Sequence, residues 1–124
     1  LRDKNITGSK IEFILERVNI SVNKNSIIGD KSALSPGGIR IGLCAMTTRG
    51  LKKEHCLTLA KLIHRSIQFA LQIQEDNKEN VVKLNDFKHF INNLSLDNDL
   101  YKRLEDIQKD VLDFSKQFTF DYKI

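Results

Sequence analysis

Proline occurs once in these 124 residues and cysteine twice, and no apolar run approaches the length of a membrane-spanning helix. No membrane association is therefore expected, and no signal-peptide pattern is read at the start of the chain. Cys44 and Cys56 show neither a CxxC pair nor a zinc-ligand spacing. They read as reduced thiols of an intracellular protein, and a bridge between them is a local closure that the sequence neither requires nor forbids. There is no long run of one charge sign either. Twenty Lys and Arg interleave with 16 Asp and Glu for a net charge of +4, so no nucleic-acid partner is expected. Internal repeats and low-complexity stretches are also absent.

What remains is the composition of an ordinary globular domain, 40% hydrophobic and 29% charged, in one domain's worth of chain. The sequence opens at Leu1 and enters a motif almost at once, so a piece of a longer polypeptide is expected. Leu1-Arg2-Asp3 reads as the frayed end of a strand. Thr7 is an N-cap candidate for a helix over 8–17, where Ile11, Ile14, Leu15 and Val18 recur at helical spacing. Alternation predicts a short strand over about 20–23, and the polar stretch 23–36 then reads as a long loop. A second strand is expected over 38–44, with Thr47 or Thr48 capping a long helix over about 51–75. Leu59, Leu62, Ile63, Ile67, Ala70 and Ile73 form that helix's apolar stripe. Two more amphipathic helices follow, over about 83–94 and 97–118, the last opened by Ser95 or Asp97. Its apolar seam is too short for a coiled coil and is expected to pack onto the same domain. The fold class is α/β, a small sheet covered by helices in a two-layer sandwich.

The segment 21–50 concentrates the irregular chemistry. Its core, Ser35-Pro36-Gly37-Gly38-Ile39-Arg40-Ile41-Gly42, holds the only proline and three of the six glycines. On a strand, Arg40 projects to the face opposite Ile39 and Ile41. A guanidinium so placed suits a planar anion such as a carboxylate, which it meets through two parallel hydrogen bonds. Asp30, inside the loop, is a side chain that can accept backbone hydrogen bonds and stabilise it. Pro36-Gly37-Gly38 leads into a strand, whereas phosphate-cradling loops leave a strand and open a helix. His55, Cys56 and His64 on the long helix lack the one-face spacing of a metal site, and His89 stands alone beside Phe90. No nucleophile–base pair stands out.

At 21–50 the sequence resembles the C-terminal domain of serine hydroxymethyltransferases. The resemblance rests on Asn23-Lys24-Asn25, Gly29-Asp30-Lys31-Ser32-Ala33-Leu34-Ser35-Pro36-Gly37-Gly38, Ile39-Arg40-Ile41-Gly42 and Thr47-Thr48-Arg49-Gly50. It extends to Thr7-Gly8-Ser9-Lys10 and to the eukaryotic-looking Leu71-Gln72-Ile73-Gln74, and loosens after about residue 75. It implies the small domain of an aminotransferase-like, pyridoxal-phosphate-dependent enzyme that moves a one-carbon unit between serine and tetrahydrofolate, releasing glycine. By the same resemblance Arg40 binds the amino-acid carboxylate, Asn25 contacts the folate, and Ser32 and Leu34 line the folate pocket. Arg49 is expected to be structural. The family forms homodimers or homotetramers whose active sites use both subunits, and a cytoplasmic location is expected, with a mitochondrial one as the alternative.

Two departures stand out. Leu43-Cys44 replaces the family's usual Thr-Pro, and Ile28 replaces a proline before Gly29-Asp30, which is expected to loosen the unfolded chain and, with it, the loop. Cys44, near Arg40 in sequence, is expected to be a buried small hydrophobe, with redox sensitivity as the alternative. The lysine that holds the cofactor lies upstream in the family, so these 124 residues are expected to be inactive alone. A catalytically retired relative, or a fragment used as a binding module, is the competing reading.

Overall fold

The computed structural model describes residues 1–32 and 34–118. A single 3-10 turn, Arg2–Lys4, stands where a frayed strand was expected. It leads into α1 (Gly8–Arg17), β1 (Asn23–Asn25), β2 (Gly38–Arg40), α2 (Cys44–Thr48), α3 (Lys53–Asp76), α4 (Leu84–Asn92) and α5 (Asp99–Ser115). Among the described residues the sheet is only two antiparallel strands, in the register Asn23↔Arg40, Lys24↔Ile39, Asn25↔Gly38. The domain is therefore a helical assembly carrying a small sheet, an α/β domain in which helices form most of the core.

Helix α1 starts and stops where local chemistry directs. Thr7 is extended, and its Oγ1 accepts from the Lys10 amide at 3.3 Å, as expected of the N-cap. At the other end Asn19 takes a left-handed conformation (φ 66) and donates to Glu16 O at 3.0 Å. Ile20 N then reaches back to Leu15 O at 2.8 Å. This pair of bonds closes orphan carbonyls, and asparagine tolerates the left-handed region better than a branched residue does. The turn sends the chain into β1 three residues later than the alternation predicts, so 20–23 is not the strand. The polar Asn23–Asn25 makes the ladder instead, because it is the stretch that faces β2.

Strand β2 is shorter than the expected 38–44. It ends at Arg40, and the chain turns helical at Cys44. The threonines proposed as caps lie inside α2, where their hydroxyls donate to Leu43 O and Cys44 O, four residues back. The cap of α3 is built from Lys52 and His55. The Lys52 amide donates to His55 Nδ1 at 2.9 Å, and the His55 amide donates to Lys52 O at 3.0 Å. His55 is thus a capping residue, as a reciprocal bond at N3 allows, and its ring meets Phe118 edge-on at 4.9 Å. Neither Ser95 nor Asp97 opens α5: Asn98 does, its Oδ1 accepting from the Leu100 amide at 2.8 Å.

The core lies where α1 crosses α3 and α4, with α5 closing the far side of α3. Ile11, Ile14 and Leu15 of α1 meet Phe69 and Ile73 of α3, Phe87 and Ile91 of α4, and Leu104 of α5. Burying a side chain of this size contributes about 1.5–3 kcal/mol, so the four helices are held together chiefly by this cluster. One charged group sits among them. Lys10 is only 4% exposed, and its Nζ donates to Gln74 Oε1 (2.8 Å) and Val81 O (3.0 Å). Burial lowers its pKa below the usual lysine value, and Asp86 offsets part of that effect.

Candidate functional site

The site is assembled at the open end of the β1–β2 hairpin. Gly8 begins α1, and its amide donates to Pro36 O at 2.8 Å, which sets α1 directly against the start of β2. From the other strand, the Lys24 amide donates to Glu12 Oε2 at 2.7 Å. Both strands are thereby hung on α1, with Ile39 half-buried against it.

Arg40 closes the ladder and is exposed. Its cross-strand partner is Asn23, and residues paired across an antiparallel ladder present their side chains to the same face. Side chains alternate, so Asn25 shares that face and lies diagonally from Arg40, about 7–8 Å away by ladder geometry. No carboxylate or carbonyl pairs with the Arg40 guanidinium among the described residues. It faces a groove of about 360 Å³ formed with Ser21, Val22, Asn23, Ile41 and Gly42. That groove shares Ser21, Val22, Ile41 and Gly42 with a larger cavity of about 420 Å³, walled by Leu59, Ile63 and Phe114 among others. An available guanidinium at the mouth of an apolar recess is a place for a small carboxylate.

The other residues read from sequence are distributed unequally. Asn25 is exposed on β1, its Nδ2 donating to Ser26 O at 2.9 Å, and it stands on the Arg40 face. Ser32 and Leu34 sit on the outer turn of the connecting loop, where Ser32 Oγ accepts from the Leu34 amide at 3.1 Å. Leu34 is 93% exposed, and neither residue lines the Arg40 groove. Asp30 does stabilise the loop: its Oδ2 accepts from the Ile27 and Gly37 amides, each at 2.9 Å. Arg49 caps α2 and lines the larger cavity.

Two expectations need correction. Ile41 does not flank Arg40 on the opposite face; the strand has already ended, and Ile41 is exposed in the groove wall. Cys44 is exposed rather than buried, because it is the first residue of α2 and not part of a strand. It lines neither cavity, so its nearness to Arg40 in sequence is not a shared wall. Sequence reasoning also passed over Asn23 and Ser21, which only the strand register brings beside Arg40. No cluster of His, Cys, Asp and Glu suited to a metal ion exists among the described residues.

Comparison with known proteins agrees with the motifs. Residues 1–63 match the family model for serine hydroxymethyltransferase. The cytosolic serine hydroxymethyltransferase of Saccharomyces cerevisiae is 48% identical over 88 residues, covering 71% of this chain and 19% of that protein. That of Candida glabrata is 38% identical over 118 residues, 95% of this chain and 24% of that protein. The mitochondrial serine hydroxymethyltransferase of Schizosaccharomyces pombe is 37% identical over 121 residues, 97% of this chain and 24% of that protein. The chain thus spans 19–24% of the length of these relatives. Its first half carries the family pattern, its hairpin carries the arginine, and the chain belongs to the serine hydroxymethyltransferase family.

Proposed function

We propose that this chain is the C-terminal small domain of a serine hydroxymethyltransferase that interconverts serine plus tetrahydrofolate with glycine plus methylenetetrahydrofolate. The observation that carries the reading is Arg40, whose guanidinium stands unpaired among the described residues at the mouth of a recess. In this role Arg40 grips the carboxylate of serine or glycine through two parallel hydrogen bonds, fixing the amino acid's orientation. Asn25, on the same face, contacts the folate. Ser32 and Leu34 reach it from the loop, which the Arg40 groove itself does not include.

Pyridoxal phosphate, the cofactor of this family, stabilises negative charge on the amino acid's α-carbon when bound. The residues here do not fit its phosphate. The Gly37 amide, the natural candidate in Pro36-Gly37-Gly38, is committed to Asp30, and the stretch enters a strand rather than a helix. The cofactor is therefore held by other parts of the polypeptide, and the 124 residues are inactive by themselves. The parent is read as a cytoplasmic homodimer or homotetramer, in line with its cytosolic relatives.

The test is a serine titration of the full-length polypeptide, followed by the absorbance of its bound cofactor, for wild type and Arg40→Ala. The expected outcome is a spectral change in wild type at low serine, and in the variant only at far higher serine. A wild type with no cofactor spectrum would return the chain to the status of a retired relative.

A further inference from the structure

We propose that Asp30 is a positioning residue, a latch that fixes the hairpin end where tetrahydrofolate binds; this rests on the functional reading above. One oxygen, Oδ2, accepts from the Ile27 amide and from the Gly37 amide, each at 2.9 Å, so a single carboxylate joins the loop's two ends. Ile27 stands two residues past Asn25, and Gly37 directly precedes Gly38, the ladder partner of Asn25. The latch therefore closes a ring directly above the last rung of the sheet. The sheet has only three rungs, and a lone two-stranded hairpin is marginally stable in water. Its ties Gly8 N to Pro36 O and Lys24 N to Glu12 Oε2 run to α1, whereas the Asp30 bonds tie loop end to loop end.

The closure is tight. A Cβ on Gly37 would lie 2.7 Å from Asp30 Oδ1 and 3.1 Å from Ile27 Cδ1, so any side chain there presses on the latch. Charge-assisted bonds from a carboxylate to backbone amides are about twice as strong as neutral ones, which suits one short side chain to hold the loop. The ligand consequences are unequal. Asn25, Ser32 and Leu34 stand in or beside the ring, whereas Arg40 lies at the far end of the ladder, paired with Asn23. Opening the latch displaces the folate-facing residues first and leaves the carboxylate anchor nearly in place.

The experiment measures serine and tetrahydrofolate affinities by calorimetry on the full-length holoenzyme. It compares wild type, Asp30→Ala, Asp30→Asn and Thr7→Ala, the last weakening only the α1 cap. Asp30→Ala is expected to weaken tetrahydrofolate by about tenfold or more, the loss of charged hydrogen bonds, and serine by less than about threefold. Asp30→Asn, which keeps an acceptor oxygen, should fall between, and Thr7→Ala should lower Tm without separating the two affinities. If Asp30→Ala does not fold, Gly37→Ala, which crowds the latch from beneath, is expected to show the same separation. Equal losses for both ligands, or none, would overturn the latch. A wild type that binds neither ligand would instead overturn the functional reading, and the latch's role with it.

Discussion

Gly8 and Gly38 meet backbone to backbone: a Cβ on Gly8 would lie 1.9 Å from the carbonyl oxygen of Gly38. The first turn of α1 and the first residue of β2 have no room between them, so a methyl group must push one away. Gly8→Ala is expected to lower stability by about 2–3 kcal/mol, the cost of overpacking against rigid backbone. It should also weaken serine binding, because β2 carries Arg40. Urea unfolding together with a serine titration checks both halves.

Arg40→Lys keeps the charge and discards the fork. A lysine presents one compact ammonium and cannot form two parallel hydrogen bonds with a carboxylate. Serine affinity of the full-length enzyme is expected to fall by about tenfold or more, with little recovery relative to Arg40→Ala. Thermal stability should not change, since the side chain is exposed and unpaired among the described residues. An affinity within twofold of wild type would mean that the carboxylate is held elsewhere.

Lys10 gives the fold a dependence on alkaline pH. Its folded pKa lies below the ordinary 10.5 because burial disfavours the ammonium, with Asp86 opposing in part. Between the depressed folded value and 10.5 the unfolded chain binds more protons, so stability rises with pH through that window. Below it the full desolvation cost remains. Lys10→Met should remove this rise, while losing the bond to Val81 O at a cost of about 1–3 kcal/mol. Urea midpoints for both proteins at several pH values between 7 and 10.5 decide it.

Phe87 ties α4 to α1 twice: its ring meets Phe13 edge-on at 6.3 Å and lies under the Lys10 ammonium at 5.6 Å. Phe87→Ala is expected to cost about 3–5 kcal/mol, as for a fully buried aromatic side chain. Hydrogen exchange should show α4 losing protection before α3 does. Equal loss in both helices would show that α4 is not a separable layer.

The two thiols should differ in reactivity. Cys44 is exposed, whereas Cys56 is half-buried with its Sγ 3.7 Å from Lys52 O. Iodoacetamide is expected to modify Cys44 first, and Cys44→Ala to leave serine affinity unchanged, since Cys44 lines neither cavity. Mass mapping of the alkylated protein and a serine titration test these points.

The helices were legible in the sequence because their apolar spacing is regular and their buried faces are wide. Ile11, Ile14 and Leu15 in α1, and Leu104, Ile107 and Val111 in α5, are buried where periodicity placed them. The strands were not, because Asn23-Lys24-Asn25 has neither alternation nor β propensity; register with Gly38–Arg40 makes it a strand. Lys52 was similarly unreadable as a cap, since its own side chain does not perform the capping. Arg40 was singled out by its place on a strand and Asn25 by the family motifs, yet their common face follows only from the pairing Asn23↔Arg40. Ser66 and Phe69, fully buried on α3, were missed because the predicted stripe ran along one edge of a broader face.

The ties that secure α1 also determine the order in which the domain can mature. Lys10 bonds to Val81, 71 residues away, Asn5 is held by Gln74 at 69, and Arg17 O accepts from Gln108 at 91. Loops this long must close before their contacts contribute, so folding is expected to be slow and all-or-none. As the ribosome delivers the chain from its amino end, the hairpin bearing Arg40 emerges well before α4 and α5. Until they arrive, Ile11, Ile14 and Phe69 cover one another but lack their α4 and α5 neighbours Phe87, Ile91 and Leu104, so the nascent domain keeps part of its apolar core exposed.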